Sequence, residues 1–366
     1  MEGKRFWLQR NQSWSDQPKF HPAFHQLSVM KLVSIAIVNW NGAKFIVRCI
    51  RSIFEQAHKA VEVIVVDNAS TDGSAELVEK EFGDKVRVVR NENVGYAGGA
   101  NLAISLAKGD FIIIANSDIV FGDTYIDRCI EALEADPKAG AVSGKLLRYD
   151  FDADSIVPVI DSAGIAMNCL RETNDIGQNE PDKGQYEFDM QVFGVCGVAA
   201  VFKREVLEAV RLSTGEYYDP DFFTYKEDVD MSWRLNLYGF KCLYRHDAVA
   251  YHGRQIKEAK GMRAVFRARR AMSPFIKGIS FRNQFFMLMK NETPYMRFRY
   301  FPGLVLGVAK YLIWYSLFDH SIGTMKYLRE IWRARALMRQ KHREIMAHVA
   351  ISHAQQRAFF TLGKFR

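Results

Sequence analysis

The pattern of apolar and polar positions becomes regular at about residue 31, where short apolar runs begin to alternate with segments of helical periodicity. Residues 31–39 form a nearly continuous apolar run rich in Val and Ile, as expected for a strand buried on both faces of a parallel sheet. Residues 43–57 then place apolar side chains at helical spacing. Further apolar runs at 61–66, 86–90 and 111–115 are each followed by a polar or helical segment. This alternation predicts an α/β fold with a doubly wound, mostly parallel sheet.

The regular alternation of apolar runs and helical segments ends at about residue 140, and this change predicts the domain organisation. Residues 1–30 are polar and aromatic without periodicity, so they are predicted to be an N-terminal extension. Residues 31–255 are predicted to form one domain with two halves, 31–140 and 141–255. Within the second half, the polar stretch 171–185 is expected to be a mobile loop. Residues 256–366 are predicted to be a basic, mainly helical C-terminal region.

Charge is distributed unevenly along the chain, which carries a net +8. Residues 253–366 contain 23 Lys and Arg against 5 Asp and Glu, whereas residues 1–252 contain 27 basic and 37 acidic residues. The acidic body and basic tail suggest catalysis in one part and attraction to polyanions in the other. Five scattered cysteines without a CxxC pair favour free thiols in a reducing cytosol.

The start of the chain has no apolar core of a secretory signal, and no run reaches the length of a spanning helix. The longest candidate, residues 303–318, is short and carries Lys310 in its middle. Basic, aromatic and amphipathic stretches in the C-terminal region therefore predict a helix lying on an anionic membrane surface. The alternative is a helical appendage packed on the catalytic domain or on a second subunit, and a homo-oligomer stays open. No nucleic-acid-binding module is recognised, so no nucleic-acid partner is expected.

Polar side chains follow three of the four predicted strands. They are Asn39 with Asn41, Asp67 with Asn68, and Asn116 with Asp118. One such cluster is usually ordinary turn chemistry, because Asn and Asp favour turns and caps. Three clusters at the carboxyl ends of strands in one sheet instead predict a ligand site, since ligands of open α/β sheets bind at that edge.

Three other features are candidates for chemistry. The Gly-rich stretch 93–101 lacks the GxGxxG spacing and follows the third strand, so it is a place for close backbone approach rather than a dinucleotide fingerprint. Glu227 and Asp228 lie among aromatic residues and could include a general base, while Asp230 and Arg234 are spaced for an ordinary helical ion pair. His252 ends an apolar run and could be structural or a ligand.

The ordered set of motifs resembles family 2 glycosyltransferases. The motifs are VSIAIVNWNG, VIVVDNASTDGS, NENVGYAGGANLAI, ANSD, GVCGVAAVFKREVL, FFTYKEDVDMSWRLNLYGF and AYHG, with RNQFFMLMKN further on. Within that family they are most similar to the bacterial rhamnosyltransferase and galactofuranosyltransferase-like branch. The resemblance covers about residues 33–252 and implies a GT-A-type fold, with a nucleotide-sugar-binding half at 31–140 and an acceptor half at 141–255.

The resemblance also implies roles for residues that bind the donor. Asp67 would hydrogen-bond the nucleobase, with Asn39 and Asn68 in the same pocket. The Gly-rich turn would contact the donor through Asn93, Gly95 and Asn101. The segment Asn116, Ser117 and Asp118 stands where the family has its DxD motif.

Metal binding follows from the same segment. Asp118 would bind Mg²⁺ or Mn²⁺ bridging the donor diphosphate, with His252 as a further ligand, because hard cations with oxygen ligands suit a pyrophosphate leaving group. Asn116 replaces the first carboxylate of the motif, which should weaken the affinity for metal.

The remaining implied roles concern catalysis and the acceptor. Asp228 would be the general base of an inverting displacement, with Glu227 as its competitor. Gly197 and Trp233 would shape the acceptor site.

The resulting functional hypothesis is transfer of L-rhamnose from dTDP-rhamnose to a polyprenyl-diphosphate-linked saccharide. This reaction would serve surface polysaccharide or O-antigen assembly on the cytoplasmic face of the membrane, with the enzyme bound peripherally. The first alternative is the same chemistry with another UDP-, GDP- or dTDP-sugar, such as galactofuranose or N-acetylhexosamine. The alternative from another class is a non-catalytic nucleotide-sugar-binding scaffold subunit.

Overall fold

The computed structural model describes residues 31–254, 273–318 and 323–363. Strands and helices alternate through its first part, as the sequence pattern predicts. They are β1 (Val33–Asn39), α1 (Ile46–Glu55), β2 (Val61–Asn68), α2 (Ser74–Phe82), β3 (Val86–Asn91), α3 (Gly95–Leu106) and β4 (Phe111–Asn116). The predicted extension 1–30 lies outside the described residues.

Shorter strands and two longer ones follow in the second part. They are β5 (Ile119–Phe121), α4 (Tyr125–Ala135), β6 (Ala139–Asp150), β7 (Ser155–Ser162), β8 (Ile165–Met167), β9 (Thr173–Asp175), β10 (Met190–Val192), β11 (Ala199–Lys203), α5 (Arg204–Ala209), α6 (Glu227–Leu237) and β12 (Lys241–His252). A short 3₁₀ turn, Pro220–Phe222, precedes α6.

The central sheet runs in the order β10-β12-β6-β11-β4-β1-β2-β3, with β5 paired to β12 and β7 to β6. Strands β1 to β4 are parallel to their neighbours within this set, whereas β11 is antiparallel to both β4 and β6. The sheet is therefore mixed, and strands from both predicted halves of the domain belong to it. The division at residue 140 stays a prediction.

The sheet is covered on both faces, which explains its continuous apolar strands. Every residue of β1 is buried. Ile35 and Ile37 belong to the core cluster that includes α1 and α4, while Ala36 and Val38 belong to the cluster that includes α3, α5 and α6. Helix α1 buries Ile46, Cys49, Ile50 and Ile53, the i, i+3, i+4, i+7 pattern of one helical face.

The C-terminal helices pack on the α/β domain. They are α7 (Pro274–Asn291), α8 (Pro294–Arg299), α9 (Phe301–Ile313) with the π-helical turn Trp314–Phe318, α10 (Thr324–Ala347) and α11 (His353–Ala358). Phe286, Met338 and Phe359 of this region share a buried cluster with Phe193 and Trp233 of the domain. No helix among the described residues is long and apolar enough to cross a membrane.

The structure bears on two local expectations from the sequence. The polar stretch 171–185 is irregular over most of its length, but it contains β9, which pairs with β8, and Arg171 is fully buried; its mobility stays a prediction. Asp230 does not form its ion pair with Arg234 but with Lys290 of α7, at 2.8 Å. Arg234 instead donates to the carbonyl oxygen of Tyr217. In both cases a distant part of the chain supplies the partner.

Candidate active site

A cleft of about 490 Å³ opens where β4, β12 and the N-terminus of α6 meet. Many of the described residues that line it are polar or charged. They include Tyr96, Asn116, Asp118, Thr173, Asn174, Asp175, Cys196, Thr224, Tyr225, Lys226, Glu227, Asp228, His252 and Arg254, and Gly197 lines the cleft beside them. The cleft thus brings together the predicted metal ligands, the predicted base and its competitor.

Asp118 and His252 form one wall of the cleft. The imidazole Nε2 of His252 lies 3.4 Å from Asp118 Oδ1, and its Nδ1 lies 2.7 Å from Asp161 Oδ2. His252 ends β12, which pairs with Ile119 next to Asp118, so the sheet register sets this contact. Asp161, fully buried at the end of β7, fixes the orientation of the ring.

Electrostatics couples these three groups. Burial alone would lower the pKa of His252, but the carboxylates of Asp118 and Asp161 raise it to about 9. Burial would raise the pKa of either carboxylate, yet the adjacent imidazolium holds both pKa values below their ordinary range. The wall is therefore a charged, mutually stabilised set rather than a neutral one.

Arg254 adds a positive charge two residues beyond His252. Its guanidinium Nη1 lies 3.3 Å from Asp161 Oδ1 and 3.7 Å from Asp175 Oδ2. Burial raises the pKa of Asp175 to about 6, although Arg254 acts in the opposite direction. A guanidinium that lines the cleft is suited to bind the phosphate oxygens of a ligand.

Another part of the cleft lining is the N-terminus of α6, where Glu227 and Asp228 begin the helix. The preceding loop has three non-glycine residues in the left-handed region, Phe223, Tyr225 and Lys226, with φ of 61°, 66° and 72°. Such conformations cost free energy and persist only where the surroundings impose them. This loop therefore needs an external clamp to present the two carboxylates.

The two carboxylates have different environments. Asp228 Oδ1 accepts from the Val229 amide at 2.8 Å, and Oδ2 accepts from the Gly197 amide at 3.3 Å. Glu227 is buried and its Oε2 has no partner among the described residues. Burial and then the charge of Asp228 raise the pKa of Glu227 to about 8, and burial also raises the pKa of Asp228. Glu227 is thus the carboxyl that holds a proton at neutral pH.

The donor set at Asp118 fits a divalent cation. A carboxylate oxygen and the imidazole Nε2 face each other there, and Asp161 holds the other ring nitrogen in the way that carboxylates orient metal-bound histidines. A cation would bind Nε2 in place of its proton. Asn116, which lines the same wall, can offer an amide oxygen in place of a carboxylate.

A different cluster with metal-like spacing is formed by Asp189, just before β10, and two residues of β12. Asp189, His246 and Asp247 bring their ligand atoms within 4.8 Å of one another. Arg245 already pairs with both carboxylates of this cluster, at 3.2 Å to Asp189 and more closely to Asp247. The cluster is part of an exposed ion-pair network with its own cation, and none of its residues lines the cleft.

The residues expected to hold the nucleobase are adjacent, and their side chains bond to one another and to neighbouring residues of the domain. The sheet register places Asn39 beside Asp67. Asn39 Nδ2 donates to Asp67 Oδ1 at 2.8 Å and to Ser74 Oγ at 2.8 Å, and Asn68 Nδ2 donates to the Gly95 carbonyl at 2.8 Å. The amide oxygens of Asn39 and Asn68 are buried without a partner among the described residues. Their role in nucleobase binding stays a prediction.

The Gly-rich turn is ordered by its own side chains. The Gly95 amide donates to Asn93 Oδ1 at 3.1 Å, and Gly95 has φ +74° with its Cα against Phe223, so a side chain would not fit there. Asn101 holds the backbone of Tyr217 and Tyr218 through three hydrogen bonds. In this structure Asn101 therefore supports the domain rather than facing the cleft.

The predicted acceptor residues are placed differently from each other. Gly197 lines the cleft beside Asp228. Trp233 is fully buried, stacks edge-on with Phe193 and is not among the described residues that line the cleft. With no exposed surface, Trp233 supports α6 from behind. Ser117 lies between the two cleft residues Asn116 and Asp118 without lining the cleft itself.

The sequence pattern does not single out the cleft residues Tyr96, Asp175 and Arg254, or the buried Asp161 that orients His252. Asp161 and Asp175 lie in the irregular stretch after residue 140, where no periodic pattern marks them. In the sequence, Tyr96 stands out only as a member of the Gly-rich stretch 93–101. In the structure, its hydroxyl donates to the Gly197 carbonyl at 2.7 Å. Arg254 alone had a usable signal, because it follows AYHG directly.

Comparison with known proteins agrees with this geometry. Residues 34–211, slightly less than half of the chain, match the model of Glycosyl transferase family 2. The chain is 27% identical over 194 residues to Glycosyltransferase GlyG of Streptococcus pneumoniae, covering 52% of this chain and 63% of that protein. It is 24% identical over 222 residues to poly-beta-1,6-N-acetyl-D-glucosamine synthase of Staphylococcus aureus, covering 60% and 49%. The chain thus spans between about half and two thirds of the length of these curated relatives.

The fold is also similar to a solved structure, GalNAc-T7 with UDP, GalNAc and Mn²⁺. The TM-score is 0.56 at 14% identity, over 84% of this chain and 57% of that one. Likeness at this level of identity concerns the fold, and it confirms the expected GT-A-type arrangement of a mixed sheet with a helical C-terminal region. The chain therefore has a GT-A-type fold, and its residues 34–211 are similar to Glycosyl transferase family 2.

Proposed function

We propose that the chain is an inverting glycosyltransferase that moves a sugar from a nucleotide-diphosphate donor to an acceptor hydroxyl. One observation carries the proposal. The Asp118–His252 pair, suited to a cation and a diphosphate, lines the same cleft as the Glu227–Asp228 pair, suited to proton abstraction. A single displacement needs both, a stabilised leaving group on one side and a base on the other.

Asp228 is the proposed general base. It removes the proton from the acceptor hydroxyl as that oxygen attacks the anomeric carbon, and the nucleoside diphosphate leaves from the opposite face, which inverts the carbon. The Gly197 amide, which donates to Asp228 Oδ2, fixes the carboxylate. Glu227 is the weaker candidate because its pKa of about 8 leaves it protonated at neutral pH. Gly197 places the acceptor beside the base, and Trp233 supports α6 from behind.

The donor diphosphate is proposed to lie against Asp118, His252 and Arg254. Mg²⁺ or Mn²⁺ held by Asp118 and His252 would neutralise the charge that develops on the departing diphosphate. Arg254 adds hydrogen-bond donors to the same oxygens. Asn39, Asp67 and Asn68 are proposed to bind the nucleobase, with Asn93 and Gly95 at the adjacent turn. The buried amide oxygens of Asn39 and Asn68 are acceptors still without a partner in the described part of the chain.

The proposed donor is dTDP-L-rhamnose, for which the support is the likeness of the sequence motifs to the rhamnosyl branch. A UDP-N-acetylhexosamine is the second candidate. It is favoured by a relative whose name is poly-beta-1,6-N-acetyl-D-glucosamine synthase and by a structural neighbour solved with UDP and GalNAc. Both donors use the same mechanism and differ only in the base and sugar contacts.

The proposed acceptor is a polyprenyl-diphosphate-linked saccharide of surface polysaccharide assembly, used at the cytoplasmic face of the membrane. The basic C-terminal region supports this, because a lipid-linked acceptor requires the enzyme to work at a bilayer surface.

Calorimetric binding of dTDP, UDP and GDP, each with Mg²⁺, with Mn²⁺ and with a chelator, tests the proposal. Cation-enhanced binding of one nucleotide is expected, and that nucleotide then directs the choice of donor in a transfer assay with analysis of anomeric configuration. Folded protein that binds none of the three would overturn the enzymatic function. A product that retains the donor configuration would overturn the single displacement.

A further inference from the structure

An apolar stripe runs along the outside of α8 and α9. Its side chains are exposed although they are large and hydrophobic: Phe298 by 87%, Phe301 by 57%, Val305 by 48%, Leu306 by 61% and Ile313 by 51%. Residues 301, 305, 306 and 313 recur at helical spacing, so they form one face of α9. A contiguous exposed apolar surface of this kind indicates a site of contact with a membrane or with another protein.

All charged residues within 294–318, the segment that carries the stripe, are positive. Residues 294–318 contain three basic residues, Arg297, Arg299 and Lys310, and no acidic residue. Arg297 and Arg299 are exposed on either side of Phe298. Apolar side chains flanked by arginines match a surface that is apolar inside and anionic outside, as an anionic bilayer is. A second copy of this chain would present the same positive charges and repel them.

The opposite face of α9 packs close to the cleft. Gly303 and Gly307 lie against the carbonyl oxygens of Cys169 and Leu170, so closely that a side chain at either position would collide. Lys310 pairs with Glu172, the residue that precedes the cleft residue Thr173. Helix α9 therefore connects the exposed stripe on one side to a wall of the cleft on the other.

We infer that the α8–α9 stripe docks on an anionic lipid bilayer and thereby holds the cleft wall at Thr173–Asp175 next to the membrane surface. The aromatic and aliphatic side chains enter the headgroup region, and the two arginines contact anionic headgroups. A membrane-embedded acceptor would then reach the cleft without leaving the bilayer completely. This inference rests on the proposed lipid-linked acceptor for its purpose, but the docking itself does not depend on the donor.

Co-sedimentation of the full chain with vesicles tests the docking, using phosphatidylcholine alone and phosphatidylcholine with phosphatidylglycerol. Binding to the anionic vesicles only is expected. The double variant F298S/L306S and the charge variant R297E/R299E should each lower the vesicle-bound fraction by roughly tenfold or more. Ile156→Ser serves as the matched control, because Ile156 is 51% exposed on β7, outside the stripe, and should bind vesicles like the wild type.

Two further measurements separate the outcomes. Nucleotide binding should be unchanged in both stripe variants, which shows that they are folded. If it is unchanged and vesicle binding persists, the docking site is wrong. If the stripe variants convert a dimer to a monomer in sedimentation velocity and the wild type ignores vesicles, the stripe is a subunit interface and the inference is overturned. If vesicle binding needs the stripe but no nucleotide binds, the docking stands and the proposed function fails.

Discussion

Asn283 of α7 holds Tyr225 in place immediately before the carboxylates proposed to be catalytic, Glu227 and Asp228. Its side-chain Nδ2 lies 2.7 Å from the Tyr225 carbonyl oxygen, and the same nitrogen lies 2.7 Å from the Phe222 and 2.9 Å from the Thr224 carbonyl oxygens. Asn283 is fully buried, and the loop to which it hydrogen-bonds contains the three left-handed residues before Glu227. A C-terminal helix thus imposes the strained conformation that presents the proposed base.

Replacing Asn283 with Leu should misplace Asp228 without emptying the donor site. We expect kcat to fall by about tenfold to a hundredfold, because displacements of about 1 Å in a reacting group have effects of that size. Nucleotide affinity should change little, since Asp118 and His252 lie on other elements. Gln284→Leu is the matched control, because Gln284 donates to the Arg171 carbonyl and not to this loop. Equal losses of kcat in both variants would show that Asn283 acts only on general stability.

Asp228→Asn should abolish transfer, whereas Glu227→Gln should retain part of it. Loss of a general base costs about 10²–10⁴ in rate, and the isosteric amide keeps the shape of the side chain. Both variants should bind nucleotide like the wild type. Steady-state transfer assays with calorimetric binding provide the comparison. A Glu227→Gln enzyme that is dead beside an active Asp228→Asn enzyme would assign the base to Glu227.

Asp161→Asn should weaken cation-dependent donor binding although Asp161 is not a proposed metal ligand. It orients His252 through Nδ1, and loss of such a supporting carboxylate lowers metal affinity or activity by about 10–100-fold. Nucleotide titrations at several Mn²⁺ concentrations measure the effect. Asp189→Asn is the control, because Asp189 belongs to the separate cluster with His246 and Asp247, outside the cleft. A larger loss in that control would place the cation at the exposed cluster instead.

The sequence predicted the first part of the fold and the order of the site motifs because both depend on local patterns. Continuous apolar runs define β1, β2 and β4, and polar residues at strand ends mark the ligand edge. That Asp118 and His252 lie next to each other could be expected only from the family resemblance. The two residues are 134 positions apart in the sequence, and the pairing of β5 with β12 brings them together.

Contacts across the fold explain what the sequence left out. Asp175 reaches the cleft and Asp161 reaches the ring of His252 from strands without a periodic signal, and Arg171 is buried by a partner 121 positions away. Asn283 lies in a motif quoted for its likeness to the family, yet nothing local shows that its amide faces the loop at 222–226. Such roles depend on how the helices pack in the tertiary structure, which a local sequence pattern does not indicate.

The raised pKa of Glu227 predicts that its ionisation destabilises the fold. Burial raises this pKa from 4.5 to about 8, so the neutral form is favoured in the folded state. The contribution of Glu227 to stability is full below pH 4.5 and is lost as the pH rises toward about 8. Glu227→Gln should therefore gain stability relative to the wild type between about pH 5 and about pH 9, on the order of a few kcal/mol. Urea unfolding at both pH values measures this difference, and a constant difference would show that the carboxyl ionises freely.

The buried pair of Arg171 and Glu292 predicts how firmly the C-terminal helices are attached. Arg171 Nε donates to Glu292 Oε2 at 3.0 Å and Nη2 to Oε1 at 2.5 Å, with both side chains almost fully buried. Glu292→Gln leaves a buried guanidinium without its counter-charge, which should lower the free energy of unfolding by about 3–5 kcal/mol. The double variant R171M/E292L removes both charges and should recover most of that loss, because a buried ion pair gains little over apolar packing. Denaturant unfolding of the wild type and the variants provides the test, and a double variant as unstable as Glu292→Gln would mean that the pair itself stabilises the joint between β9 and α7.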